Sequence, residues 1–448
     1  MLRCEIYSDA GKTRHLEMLQ SIRLNLPSIF VFLCVCYTFV GFLGCSRGSF
    51  SGRLLRGLPL MAGDFLGILW VLSVDTVYLT GINRKVVTVS VLVFLVGILA
   101  IPLSWLTVGV IYPVYIVGDA SWILWLCLSL MIFGGSAHKN HIHLDTIYRL
   151  LVFLCTILFV YWIALGVYHQ ALDAPHFIVF CFILSGIITS CFFDRKRSRR
   201  VAFYLVISVV LLAFAFLGWG RGLFLGFLFS FMACLLMIFH VRNVKVVGLV
   251  CCILLLLSGV LCFSLGDKFS KSRLYRSVAT REVLRGQSAS ERLDEVHSAR
   301  RTLQASPGIF LTGLGHGAVY FPCVGALNKN LTTHGHIHNI HVGPALLFFR
   351  YGILGVIFYG ACWFVVVKGF LLGRRLCKLR KRLQLTGETE RYFSVRLFYT
   401  NYFVFCTLFI YSHLSNHFLN PFFGVSLAIV TVFISEASPF KRGMRQLR

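Results

Sequence analysis

Long apolar runs, interrupted by short polar and basic stretches, fill the chain from residue 27 to residue 436. Twelve runs can be marked, near 27–45, 58–82, 86–108, 110–136, 147–169, 174–193, 201–219, 222–240, 244–266, 342–371, 397–415 and 418–436. Most approach the ~20 residues a helix needs to cross a ~30 Å hydrocarbon core. Helices are the default there, because lipid offers backbone N–H and C=O groups no partner but each other. The pattern predicts an all-α polytopic membrane protein of about twelve transmembrane helices, with residues 1–448 as one integral domain. Some runs carry polar breaks, namely Asp64 and Asp75 in the second and Pro113 and Asp119 in the fourth. The longest polar stretch, 267–341, falls between the ninth and tenth runs.

Composition sharpens this class. Charged residues make up 13% of the chain and hydrophobic ones 57%, against roughly 25% charged in soluble domains, which excludes a string of soluble domains. The sixteen cysteines lie mostly inside apolar runs, as in "FLCVCY" and "VCCILL", where they behave as small buried hydrophobes. Zinc spacings and a paired disulfide framework are both missing. The first 25 residues are too long and too mixed in charge for a signal peptide, so the first run reads as a retained span.

A formal charge of +26 would suggest nucleic acid in a soluble protein. Here most of the excess sits in short loops beside spans, where retention of Lys and Arg on the cytoplasmic side accounts for it. "DRKRSRR" (194–200), "VRNVK" (241–245), "GRRLCKLRKR" (373–382) and "KRGMRQLR" (441–448) are assigned to the cytoplasm. "YHQALDAPH" (168–176) and "YSHLSNHFLNP" (411–421), with neither Lys nor Arg, are assigned outside. Alternation then places both termini inside and exports 267–341, with "SRGSFSGRLLRG" (46–57) as a basic exception on the outer side. The exported segment holds ten Lys or Arg residues against five acids. That surplus suits either anionic lipid headgroups or a phosphate-bearing substrate.

The segment has internal order. "SASERLDEVHSARRTLQAS" (288–306) reads as an amphipathic helix, opened by a capping box of Ser288 and Glu291 and stopped before Pro307. "TGLGHG" (312–317) reads as tight glycine backbone geometry, not a nucleotide cradle. Then "TTHGHIHNIHVG" packs His334, His336, His338 and His341 into eight positions. In an extended strand the first three would share a face, as metal ligands do, yet no carboxylate lies between 324 and 341. A polar loop edge and an acid–base or phosphate-binding role remain beside that reading. Arg221, in "GWGRGLFLG", falls between two apolar runs on the same outer side. It either snorkels to the interface or presents its guanidinium fork to a lipid-linked diphosphate at that depth. Arg292, Arg300 and Arg301 lie on the segment's helix, where a solvated face is the alternative.

The ordered series "GRGLFLGF", "SERLDEVHSARRTLQASPGIFLTGLGHG" and "HIHNIHVGPALLFFRYGILG" resembles the bacterial O-antigen ligase and O-antigen polymerase superfamily. The likeness lies in an arginine–glycine pair at a span end, a loop arginine before a G-x-G turn, a His-Asn pair, and a following GxxG at Gly352 and Gly355. It runs in detail from about 200 to 360, and departs in "GWGR" and in the extra histidines.

The resemblance implies a metal-independent, cofactor-free inverting glycosyltransferase of the bacterial inner membrane, working at its periplasmic face on an undecaprenyl-diphosphate-linked glycan. Residues 267–341 would be the periplasmic catalytic loop. It implies that Arg221 and Arg292 bind the diphosphate and that His338 is the catalytic residue, with His336 the neighbouring alternative; in the reaction this suggests, His338 takes the acceptor's proton and Glu295 is the reserve base. Asn339, His336, Arg300, Arg301, Gly313 and Gly315 would contact substrate. The acceptor would be the lipid A-core in a ligase, or a second lipid-linked repeat unit in a polymerase. A polysaccharide-lipid transporter or flippase using Asp64, Asp75 and Asp119 is the rival of another class, although no repeat of matching halves is visible.

Overall fold

The computed structural model describes residues 26–37, 50–74, 77, 79–138, 147–153, 221–238, 287–305, 308–322, 335–385, 389–413 and 420–446. The spans expected at 174–193, 201–219 and 244–266, most of that at 147–169, and His334 lie outside the described residues. So do Asp75 and the basic stretches 194–200 and 241–245.

The described residues are helical, apart from connecting segments and one isolated antiparallel bridge between Tyr320 and Ile337. In chain order the elements are α1 (Leu26–Tyr37), α2 (Phe50–Ser73), α3 (Gly81–Leu99), α4 (Ile101–Val108), α5 (Pro113–His138) and α6 (147–153). Next come α7 (Arg221–Ile238), α8 (Gln287–Gln304), α9 (Ile309–Thr312), α10 (Gly343–Leu385), α11 (Thr389–Tyr411) and α12 (Pro421–Gln446). Among the described residues, Gly81–Leu99, Pro113–Ser136 and Gly343–Cys377 are long and apolar enough to cross a membrane. Leu26–Tyr37, Gly57–Ser73, Val395–Tyr411 and Pro421–Ser435 are shorter apolar helices. Outward-facing Phe65, Leu72, Leu99, Leu106 and Val114 are exposed, as residues facing lipid would be. This is the architecture of a helical membrane protein.

Two expected single spans are interrupted. The run 86–108 divides at Ala100, where α4 restarts with Pro102 in its first turn, and α4 stops at Gly109 with φ 76°. Proline lacks an N–H for the preceding turn but suits a first turn, so one helix ends and another begins. The run 342–371 is broken inside α10 at Gly352, whose φ of 54° and ψ of −136° belong to no helix. Only glycine reaches that region cheaply.

α5 is the central strut, packed by α2, α3 and α12. Gly63 and Gly67 of α2 give room to Trp125 and Leu128 of α5, the small-residue contact that lets membrane helices approach. Trp125 stacks on Phe30 at 4.6 Å between centroids and donates its indole N–H to the Pro421 carbonyl at 3.2 Å, fixing the start of α12.

Close contacts also set direction. Gly226, near the start of α7, meets the Thr407 carbonyl and Tyr411 at the end of α11, and the Gly343 N–H at the start of α10 donates to the Ser412 carbonyl at 2.8 Å. Gly97 at the end of α3 meets His316, which lies beside the start of α5 through Gly317 and Ile116. One end of the bundle therefore gathers the starts of α5, α7 and α10 with the finishes of α3 and α11. The opposite end holds the start of α3, with Arg84 and Lys85, beside Ser435 of α12. A small second core of Leu303, Leu314, Tyr320, Ile337, Ile340 and Phe349 sits under the polar segment at the first end.

Candidate functional site

The site begins with the break in α10. A helix break strips the carbonyls of the preceding turn of their intrahelical donors. Here the carbonyls of Phe349 and Arg350 accept from the N–H groups of Leu314 and Gly315, at 3.0 and 2.7 Å. The "TGLGHG" turn is thus stitched to α10, with Gly313, Gly315 and Gly317 at φ of 70°, 79° and 74°. A Cβ at Gly313 would run into the Arg350 backbone, and one at Gly315 into the Gly97 carbonyl. These glycines serve close backbone approach, as their spacing predicts.

The turn delivers one group to α5 and another between α3 and α10. The Gly317 N–H donates to Asp119 Oδ2 at 2.8 Å. His316 donates from Nε2 to the Phe94 carbonyl at 3.2 Å and accepts at Nδ1 from the Tyr351 hydroxyl at 3.2 Å. Burial drives its pKa down to about 4; the Asp119 charge and the Phe94 carbonyl push the other way, and the Arg350 charge adds to the depression. His316 is a neutral, fully bonded strut.

Asp119 is 2% exposed and Arg350 0%. Arg350 Nη1 donates to Asp119 Oδ1 at 2.8 Å. A buried charge is tolerated when paired and hydrogen-bonded, and ionisable groups within an apolar helix mark function by default. Against this pair lies His338. Its Nε2 is 3.2 Å from Asp119 Oδ2 and 2.9 Å from Arg350 Nη2, which also lies 3.4 Å from the His338 carbonyl. Tyr115, one turn before Asp119, stacks on the imidazole at 4.0 Å and 11°. The His338 side chain is 18% exposed, so the ring is gripped on one edge and reachable on the other. Burial lowers its pKa below the ordinary 6.5, the Asp119 charge opposes this, and the Arg350 charge reinforces it. A largely neutral imidazole at neutral pH follows, fit to accept a proton.

The other predicted residues sit around this centre. His336 is buried, with Nδ1 3.1 Å from the Tyr112 hydroxyl and its ring edge-on to Phe321. The Ile337 bridge to Tyr320 leaves His336 and His338 both turned to the first turns of α5. Asn339 is exposed, and its carbonyl accepts from the Tyr320 hydroxyl at 3.1 Å. Glu295, buried on α8, accepts from the His341 N–H at 2.9 Å and bonds His341 Nδ1 at 2.7 Å, tying α8 to the start of α10. Burial raises its pKa, but the His341 hydrogen bonds and the His341 and Arg292 charges outweigh that and leave it below the ordinary 4.5. Arg292 Nη1 reaches Glu295 Oε1 at 3.2 Å, with the rest of its side chain about a third exposed. Arg300 and Arg301 are exposed on the same helix. Arg221 opens α7 at the same end of the bundle. Among the described residues, no three His, Cys, Asp or Glu side chains converge as a metal ion would need.

Sequence reasoning placed Asp119 only as a polar break and as a charge for the rival transporter, and gave no role to Arg350, Tyr115 or His316. The available signal was an acid and a base each set in apolar sequence, as in "YIVGDASWILW" and "LLFFRYGIL". Charges of opposite sign inside apolar runs call for partners in other spans, although Arg149, Lys368 and Asp64 offered themselves equally.

Comparison with known proteins adds no relative, since no family model, curated protein or solved structure matches the chain.

Proposed function

We propose that the chain is a glycosyltransferase of the O-antigen ligase type, moving a glycan from undecaprenyl diphosphate to the lipid A-core at the periplasmic face of the bacterial inner membrane. The observation that carries the reading is His338, held on the buried Asp119–Arg350 pair with one edge open, at the end of the bundle where α7 begins with Arg221. An accessible neutral imidazole beside a basic surface is what transfer from a lipid diphosphate requires.

In the proposed reaction an acceptor hydroxyl oxygen forms a bond to the anomeric carbon, and the bond from that carbon to the diphosphate oxygen breaks on the opposite face. The hydroxyl proton passes to His338, and the bonding electrons leave with undecaprenyl diphosphate. Arg221 and Arg292 stabilise the charge that develops there, the largest single contribution such a site offers. Arg292 keeps donors to spare beyond Glu295, because a guanidinium carries five. Asn339, His336, Arg300, Arg301 and the backbone around Gly313 and Gly315 contact the glycan or support its cleft. On this reading the orientation inferred from Lys and Arg stands: the site end faces the periplasm and both termini the cytoplasm.

The test is purified protein in detergent, given a lipid-diphosphate glycan and an acceptor. Transfer is expected in the wild type and lost in His338→Ala with normal membrane insertion. Full activity in His338→Ala removes the assignment, and loss confined to His336→Ala moves it by two residues. Absence of turnover without compartments favours a transporter. Gels of lipopolysaccharide from a deletion strain separate acceptors: core with no O-antigen means a lost ligase, core with one repeat a lost polymerase.

A further inference from the structure

We infer that Asp119 is a positioning residue that holds the proton of neutral His338 on Nε2, so that Nδ1, on the open edge of the ring, is the basic atom. This deepens the glycosyltransferase reading and rests on it for its meaning in catalysis, though not for its geometry.

The argument starts from competition at one nitrogen. Nε2 of His338 faces a hydrogen-bond donor, Arg350 Nη2, at 2.9 Å and an acceptor, Asp119 Oδ2, at 3.2 Å. A neutral imidazole carries its proton on one nitrogen only, so Nε2 cannot satisfy both. With the proton on Nδ1, Nε2 accepts from Arg350, and its lone pair is left against an anionic oxygen with no hydrogen between them. With the proton on Nε2, the ring donates to Asp119, and Arg350 Nη2 turns to the His338 carbonyl, already 3.4 Å away. Arg350 has that second acceptor, while the Asp119 oxygen, although it also accepts from the Gly317 N–H, turns the facing lone pair into a bond only when Nε2 carries the proton. The Nε2–H form is therefore favoured.

The surroundings support the same division of labour. Asp119 is held from three sides, by Arg350 Nη1 on Oδ1 at 2.8 Å, the Gly317 N–H on Oδ2 at 2.8 Å, and the packing that buries it. It cannot rotate away without abandoning buried donors. Stacking of Tyr115 fixes the ring plane. Nδ1 has no protein partner among the described residues, whereas a substrate hydroxyl arriving at the open edge meets Nδ1 first.

When Nδ1 takes the proton, the ring becomes an imidazolium whose Nε2–H already points at a carboxylate, so Asp119 stabilises the charged state as it forms. Arg350 does the opposite and repels that cation, which returns the ring to neutrality after transfer. The groups facing His338 are Asp119 and Tyr115 from α5, Arg350 from α10, and the Gly317 N–H through Asp119. His316 lies one residue before Gly317 on the turn and is neutral.

The test uses full-length protein in detergent, labelled with ¹⁵N-histidine, the His338 signals assigned by difference from His338→Gln. The ring ¹⁵N shifts at neutral pH are expected to report Nε2–H in the wild type and to move toward Nδ1–H in Asp119→Asn, where Arg350 no longer competes with an anion. Transfer by Asp119→Asn is expected to fall by about 10²–10⁴-fold in kcat with KM little changed. The acid limb of its kcat/KM profile should move to lower pH, since the carboxylate that favoured the imidazolium is gone. Asp119→Asn with Arg350→Gln removes both charges and serves where the single variant does not insert; it is expected to insert and to lose the Nε2–H preference. A wild-type Nδ1–H signal, or an unmoved tautomer and acid limb in both variants, overturns the inference. Failure of the wild type to transfer glycan refutes the proposed function alone, because the spectra still answer for Asp119.

Discussion

His316 illustrates how a single residue is fixed by the bonds it makes rather than by its type. Its Nδ1 accepts from Tyr351 and its Nε2 donates to Phe94, an arrangement open only to the neutral ring. Protonation makes Nδ1 a donor, so the Tyr351 hydroxyl must give up donating to it in a buried place. The folded pKa near 4 lies below the ordinary 6.5, so the unfolded chain binds a proton first as pH falls. The stability this residue contributes is therefore complete above about pH 6.5 and drains away as pH drops toward 4. The apparent melting temperature in detergent is expected to fall across that window, and His316→Gln to flatten the fall by one proton's worth; an unchanged slope would refute it. Glu295 and His338 also have depressed pKa values and steepen the same acid side. The sequence named His338 as a candidate and left His316 inside a quoted turn. A histidine's neighbours come from remote helices, here α3 and α10, and no local window contains them. The missing carboxylates between 324 and 341 were misleading in the same way, because Asp119 and Glu295 reach His338 and His341 from other elements.

Among the elements, α8 and α10 divide cleanly into what the sequence announces and what it conceals. The helix expected over 288–306 appears at Gln287–Gln304, since amphipathic spacing and the proline stop are local signals. The break in α10 was concealed, because "RYGILG" reads as an uninterrupted apolar span until the "TGLGHG" turn docks on it. Gly352 is where the two meet: a Cβ there would lie 2.5 Å from the Leu311 carbonyl oxygen and 2.7 Å from that of Phe310, with φ at 54°. Gly352→Ala is expected to cost at least ~1–3 kcal/mol, to loosen the turn from α10 and to lower activity with it. Gly360→Ala, in the same helix with open space around its Cβ, is the matched control and should leave the melting temperature unchanged or slightly raised. Equal effects at the two positions would mean that the break does not hold the turn. Glu295 makes the second link, from α8 to the first residues of α10. Glu295→Ala leaves the His341 N–H without its acceptor and should cost about 1–3 kcal/mol in apparent stability, read by thermal melting at neutral pH.

For the whole molecule, the legible part was class, a helical membrane protein, and the hidden part was how the helices meet. Hydropathy found the described spans because lipid imposes one rule on every helix that crosses it. The contacts that assemble the site follow no such rule and depend on where α3, α5 and α10 converge. The alternation of Lys and Arg nevertheless makes a strong claim about the assembled bundle. It puts the loop 267–341 outside and 373–382 inside; in the structure α10 begins beside His341 and runs its length toward the basic stretch, whichever side each end faces. Arg84 and Lys85, at the start of α3, lie at the end away from His338. Single cysteines in a background without the native sixteen are the direct check. In intact cells with a permeable outer membrane, an impermeant maleimide is expected to label position 297, exposed on α8, and position 221 at the start of α7. Positions 84 and 85 should label only after the inner membrane is opened. The pairing of 221 with 297 matters most, because the donor's diphosphate must be gripped on the same side as the imidazole that takes the proton. Labelling of 221 with 84 and 85 instead would place the two halves of the proposed chemistry on opposite sides of the bilayer, where no single substrate could join them.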